Sequence, residues 1–427
     1  MLDNKDIKVA LCKKKTFFYL RATFSSVFFA SNHMLNTVIN WGGSDEVSKM
    51  AWTAWENAVV PIKYGGLGFG SLRDANLALL AKWWWRFKTE KDGLWRKLVW
   101  AIHSSSRSWN LIPCKVAVAG PWKQICGSSR CLASLGIELP KNIVGLFRCG
   151  TELAFWIDVW VTPDPLCVLF PSLFQLERVR GCSVAQRFRL TTNGLMWVWD
   201  WRRQPERSVE VVELQHLTAL LQHVSASTGA DSWVWKLDES GSFNVASIKR
   251  EIISKNCVIP AYVMDWNNWV PKKVGIVAWR AQKERLPTRF ELSRRGIPVQ
   301  SLECAICGAY TESSEHLFIS CELAQIVWQL VYQWCKAHSF FAFRIIDILE
   351  DHKFYQGSVK RKKAFHAVCL ITIWSLWKSR NERIFSGTEK SITNILEEIK
   401  ATSFMWVKNR AKSTNLTWEQ WKCFDVF

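Results

Sequence analysis

Between Cys304 and Cys321 the chain reads CAICGAYTESSEHLFISC, with two residues between Cys304 and Cys307, eight more before His316 and four more before Cys321. Two thiolates at that spacing can grip one tetrahedral ion from a single tight turn. An imidazole and a third thiolate on the following segment complete a closed site of the structural zinc type. Gly308, directly after the second thiolate, supplies the residue free to take positive φ where the chain must turn sharply. Ser313-Ser314-Glu315 predicts a helix start with His316 in its first turn. On a continuous helix Cys321 would lie about 140° around from His316, so the helix is expected to bend or restart between them. The alternative is that these are ordinary buried thiols, since some C-x-x-C pairs arise by chance among 14 cysteines and a buried cysteine packs as a small hydrophobe. Four ligands with every gap in range favour one structural Zn2+. The eight-residue gap also excludes the compact retroviral knuckle.

The elements that must position these ligands belong to a basic, tryptophan-rich chain of 427 residues. It carries 56 Lys plus Arg against 37 Asp plus Glu, a formal charge of +19, and 27 Trp. Such a balance favours an anionic partner, RNA or DNA ahead of a membrane surface. Most of the tryptophans are read as core residues between helices. No secretory signal is visible, and no apolar run is long and uncharged enough to span a bilayer. Irregular cysteines beside a metal-type cluster point to a reducing, intracellular setting, the nucleus ahead of the cytoplasm.

The apolar periodicity predicts a mainly α fold with small β elements, in several modules: a helical region over 1–110, a loop-rich connector with short strands over 111–230, a zinc module over 231–335 and C-terminal helices over 336–427. In the first, Leu72, Ala75, Leu79, Leu80 and Trp83 predict a basic amphipathic helix over Ser71–Leu98. YGGLGFGSL ahead of it lacks the Gly-Lys-Ser/Thr of a phosphate loop and is read as a tight turn. Asp158, alone between tryptophans, is read as a structural hydrogen-bonder. VWKLDESGSFNV predicts a hairpin around Glu239-Ser240-Gly241. Ala324, Val327, Trp328, Val331 and Trp334 predict one packed helix, and Val359–Phe385 another with basic ends. Arg380 and Arg383 are equally compatible with a solvated face and with phosphate contact.

Around the cysteines the sequence resembles the zinc-binding domain that follows the reverse transcriptase of plant LINE-type (non-LTR) retrotransposons. Asp231, Trp233, Trp235, Gly241 and Phe243 match its D-x-W-x-W and G-x-F; Trp269, Pro271, Lys273, Val274, Trp279 and Arg280 match W-x-P-x-K-V and W-R. Leu286 to Arg289 with Leu292 and Arg294 to Gly296 match L-P-T-R and R-R-G, and the four ligands follow in family order. Similarity extends from Trp41-Gly42-Gly43, Trp52, Trp55, the glycine loop and Asn76–Arg86 through Phe155, Trp156, Asp158 and Trp160 to Trp374, Leu376, Trp377, Arg380, Asn381 and Phe385. Asn40 departs from it where an aromatic is usual.

The resemblance implies RNA-directed DNA polymerase activity for the whole family protein. That chemistry needs paired carboxylates holding two metal ions, and this chain has no Asp-Asp dipeptide. No catalytic residue is therefore assigned. The chain is expected to correspond to the part of a retroelement protein that follows the polymerase palm, with no polymerase activity by itself. The rival expectations are part of a polymerase acting with an upstream palm, and a zinc-containing protein-interaction remnant. Nucleic acid is expected to bind with little sequence preference through Lys272, Lys273, Arg280, Arg289, Arg294 and Arg295, cations that cluster within 25 residues with few acids among them.

Overall fold

A computed structural model describes residues 51–103, 112–115, 117–191, 194–338, 341–411 and 416–426. Trp41-Gly42-Gly43 and Asn40 lie outside the described residues. The fold is mainly α with small β elements, and it divides into two compact units. One holds Phe69–Val258; the other holds Trp41–Gly68 and Ile259–Phe427 as far as these are described.

The first unit is built on the helix Leu72–Thr89, capped by Ser71, whose Oγ accepts from the Asp74 amide at 3.1 Å. It is shorter than expected. It ends at Thr89, where Arg86 forks onto Glu90 at 2.6 and 2.7 Å, and the chain turns through Asp92-Gly93 into a second helix, Leu94–His103. Its buried face also differs from the expected stripe: Leu77, Ala78, Ala81, Trp84 and Phe87 point inward, while Leu72 and Leu79 are 42% and 40% exposed. Two small alanines let the helices Pro121–Ala133 and Val245–Asn256 pack against this face. Trp84 locks the first of them by donating its indole N–H to the Ile125 carbonyl at 2.9 Å.

Strand β1 (Ile143–Leu146) pairs antiparallel with β4 (Ser232–Trp235), Ile143 opposite Trp235; β2 (Phe188–Thr191) and β3 (Gly194–Trp197) form the other pair. The hairpin expected around Glu239-Ser240-Gly241 does not form. After β4 the chain makes a turn with Gly241 at φ 68°, and Asn244 accepts from the Ala246 amide at 2.8 Å to start the helix Val245–Asn256. Phe243 packs on Trp235 at 4.8 Å instead of continuing a strand.

The stretch expected to be a connector carries its own core, with Leu153, Phe155, Trp156, Leu166 and Leu173 fully buried and the helix Ser208–Leu221 packed on it. Three buried acids organise this core. Asp158 accepts from Lys88 Nζ at 2.5 Å and the Ala154 amide at 2.8 Å, which is the structural role expected of it. Glu177 takes the Trp156 indole at 2.9 Å and the Arg187 guanidinium at 2.6 Å. Asp231 accepts four backbone amides, from Arg148, Cys149, Gly150 and Glu152. A carboxylate ringed by amide N–H groups is well satisfied, so the acid that opens D-x-W-x-W holds a loop.

In the second unit the 28-residue helix Val359–Ser386 is the axis. Ser358 caps its start, accepting from the Arg361 amide at 3.1 Å, and Gly387 at φ 63° ends it. Its middle is buried almost all round, from Ala364 to Leu376, as an apolar stretch between basic ends requires. Against it pack the helices Lys272–Ala281, Ile345–Asp351 and Ile392–Arg410. Among the described residues no helix is long and apolar enough to cross a membrane.

His366, on the long helix, stacks on His352 with ring centroids 3.9 Å apart and is itself 4% exposed. Burial holds its pKa down to about 3, with His352, Lys353 and Lys363 adding to the depression; Asp265 faces His352 at 3.5 Å, and Asp351 precedes it in the chain. A histidine depressed in the folded state stabilises the fold fully above its unfolded value near 6.5, and that contribution falls as pH drops from there towards 3. Lowering pH from 7.5 to 5 is expected to remove about 2 kcal/mol of stability through this group. His366→Phe should flatten that slope in urea titrations at the two pH values, and an unchanged slope would reassign it.

Candidate metal centre

The site is assembled from a turn and a helix start. Cys304 donates its amide to the Tyr310 carbonyl at 2.6 Å, and Gly308, at φ 71°, closes the loop by donating to the Cys304 carbonyl at 2.8 Å. A single antiparallel bridge, Glu303 to Thr311, joins the two arms. The turn thereby aims both thiols the same way, and the Ile306 amide lies 3.4 Å from Cys304 Sγ.

The second pair of ligands comes from the chain that follows. Ser313 Oγ accepts from the His316 amide at 3.0 Å, and Glu284 accepts from the Ser314 and Glu315 amides at 3.2 and 3.4 Å. These contacts start a helix that runs as a π turn over His316–Ser320, its Cys321 amide donating to the His316 carbonyl at 2.8 Å. The i→i+5 turn brings residues five apart onto one side, as an α turn does for residues four apart. The expected bend between His316 and Cys321 thus takes the form of a widened turn. The α-helix Glu322–Trp334 then begins afresh, with Ala324, Val327, Trp328, Val331 and Tyr332 buried.

The ligand atoms of Cys304, Cys307, His316 and Cys321 lie within 4.8 Å of one another. Ligands of a tetrahedral zinc, about 2.3 Å from the ion, stand about 3.8 Å apart, so the set matches that geometry in size and in donor type. Cys307 Sγ is 3.3 Å from His316 Nε2, while His316 Nδ1 meets Ser320 Oγ at 3.1 Å. The hydroxyl orients the ring so that Nε2 faces the thiols, the usual outer-shell arrangement at a metal-bound histidine. Burial lowers the His316 pKa and keeps the ring neutral, the form that ligates. A hydrogen bond between Cys304 and Cys321 raises the first thiol and lowers the second.

Residues far off in sequence hold the turn in place. Glu312, fully buried, accepts from the Arg289 amide at 2.8 Å, the Ala305 amide at 3.1 Å and the Arg380 guanidinium at 2.6 and 3.2 Å. Arg383 donates to the Ile306 carbonyl and to Glu389, both at 2.9 Å. Neither expectation for Arg380 is met: it is 3% exposed and neither solvated nor available to phosphate. No sequence signal separates this use of Arg380 from that of its neighbour Arg383 in the same basic helix end.

The six cations expected to meet nucleic acid have different surroundings. Lys272 and Lys273 are exposed at the start of the helix Lys272–Ala281, with Lys273 Nζ 5.1 Å over the Trp374 ring. Arg280 donates to the Arg285 carbonyl at 3.0 and 2.8 Å. Arg289 donates to the Glu303 carbonyl at 2.9 Å. Arg295 donates to the Ala51 and Trp52 carbonyls at 3.0 Å and lies 4.5 Å over the Trp52 ring. Arg294 reaches the buried Glu291 at 3.0 Å, and Arg285 and Arg295 approach the same carboxylate at 3.9 Å. Arg280, Arg285, Arg294 and Arg295 therefore share one neighbourhood, in which Glu291 is the carboxylate that three of them approach. Arg285 was missed in the sequence because it lies outside the family motifs. Burial lowers the pKa of Arg280, and the charge of Arg295 lowers it further, as expected for crowded guanidiniums.

No solved structure matches this chain. Residues 243–328 match the family described as zinc-binding in reverse transcriptase, which spans all four ligands. The chain is 25% identical over 367 residues to the Arabidopsis thaliana protein named "Putative ribonuclease H protein At1g65750", covering 83% of this chain and 56% of that protein, so it spans little more than half the length of its relative.

Proposed function

We propose that this protein is a zinc-bearing, nucleic-acid-binding part of a retroelement protein of the LINE type, corresponding to the region that follows the polymerase palm. The observation that carries the reading is the clustered Cys304, Cys307, His316 and Cys321 set, three of its members buried, held by side chains on other segments, inside the stretch that matches the zinc-binding family. One zinc held there supplies structure, because four protein ligands leave no position open for a substrate. The four clustered guanidiniums and the exposed Lys272 and Lys273 supply the positive field for a phosphate backbone, and a nuclear site of action accords with such a partner. Polymerase activity is assigned to other parts of such a protein, since the sequence offers no Asp-Asp pair. The ribonuclease H in the relative's name is left with that relative.

The reading is tested by titrating labelled single-stranded RNA at several salt concentrations. Affinity should fall with salt by about 0.7 log units per decade for each phosphate neutralised. Arg294→Ala, which removes a half-exposed guanidinium without a backbone contact, should lower that slope by about 0.7 if it meets one phosphate. Arg295→Ala is a poorer probe because it also releases the segment at Trp52. Absence of salt-dependent binding by the wild-type protein would replace this reading with a protein-interaction role.

A further inference from the structure

The long helix leaves one line of side chains partly open. Trp374, Lys378, Asn381 and Phe385 follow one another at helical spacing on a helix whose other faces are packed in this region, and together with Trp377 and Glu382 they line a shallow groove of about 280 Å³. Phe385 is 79% exposed at its end, with no part in the core.

The chemistry of this line is specific. Its apolar members are aromatic rings, separated by an amide and an ammonium. Flat rings alternating with polar groups suit nucleobases, each of which offers a π face, and the positive charge beside them favours an anionic partner over an uncharged peptide. Glu382 and Glu398 would repel phosphate, but Lys378 and Lys390 each pair with both carboxylates, which leaves this end of the groove neutral. At the other end Lys273 sits over the Trp374 ring with Lys272 beside it, and neither makes an ion pair among the described residues. Unspent positive charge thus lies at one end of an aromatic row in a protein of net charge +19.

We propose that this face of the long helix is a stacking platform for single-stranded nucleic acid, with a base on Phe385 and the backbone directed by Lys272 and Lys273. The proposal deepens the nucleic-acid reading given above and rests on it. Stacking is uncharged, so its removal should lower affinity without altering the salt dependence, which separates this site from the guanidinium cluster.

The experiment uses the full chain and labelled oligouridylate. Phe385→Ala is expected to weaken binding roughly ten-fold at every salt concentration, with the slope unchanged. Phe385→Tyr, which keeps a ring, should restore wild-type affinity. Replacing Lys272 and Lys273 by alanine should lower the slope by up to about 1.4. Wild-type affinity in Phe385→Ala, alongside salt-dependent binding by the parent, overturns the platform alone and leaves the face to a protein partner. Absence of binding by the parent protein overturns the platform and the nucleic-acid reading together.

Discussion

Replacing Cys307 by serine is expected to abolish stoichiometric zinc and to unfold the metal turn. Three ligands remain, and a hydroxyl is a poor substitute for a thiolate. Structural zinc in small modules contributes on the order of 10 kcal/mol or more, so the loss is large beside the stability of any one domain. The damage should stay within the second unit, because the contacts described for the turn run to Glu284, Arg289, Arg380 and Arg383, all in that unit. Within it the effect should spread: Cys304, Leu317, Phe318 and Cys321 belong to the same buried core as the long helix. Metal content measured on the purified variant, with thermal melts in the presence and absence of a chelator, checks both statements. Wild-type zinc content in Cys307→Ser would remove this residue from the ligand set.

Breaking the contact between Glu312 and Arg380 should be the next most damaging change, and the two partners should differ. Both are almost wholly buried, at 0% and 3% exposure, and removing one member of such a pair typically costs about 3–5 kcal/mol because the other is left charged and unpaired. Glu312→Leu strands the guanidinium and also leaves the Arg289 and Ala305 amides without their acceptor, so it should lie at the upper end. Arg380→Met leaves the carboxylate with those two amides and should cost less. The double variant should recover part of the loss, since no buried charge is then unpaired, but the two amides remain unsatisfied. Urea midpoints for the three variants test the order. Equal losses for both single variants would mean the amide contacts carry little weight. Zinc affinity should fall in the same order, as Glu312 fixes the Ala305 amide beside the first thiolate.

What the chain alone could reveal was local. The ligand set was readable because a metal turn is made by residues within a few positions of one another, and Gly308 announces its positive φ. The break between His316 and Cys321 was readable from helical geometry. The span of the long helix was readable too, from an apolar middle between basic ends. The mainly helical class follows from the same periodicities.

The tertiary structure decided which polar groups were spent inside. Arg380 meets Glu312 across 68 positions, and Arg295 meets the Trp52 carbonyl across 243. An arginine carries the same charge whether it faces phosphate or a buried acid, so composition could not separate these uses. The strand partner of Ser232–Trp235 came from residues 143–146 and not from the adjacent turn, because strand pairing is settled by distant chain segments while a turn signal is only local. The inward face of Leu72–Thr89 was set by the two helices that close on its alanines. Local spacing brought Cys304, Cys307, His316 and Cys321 into one cluster that could hold a metal; burial and long-range pairing determined which of the cations and aromatic rings remained exposed.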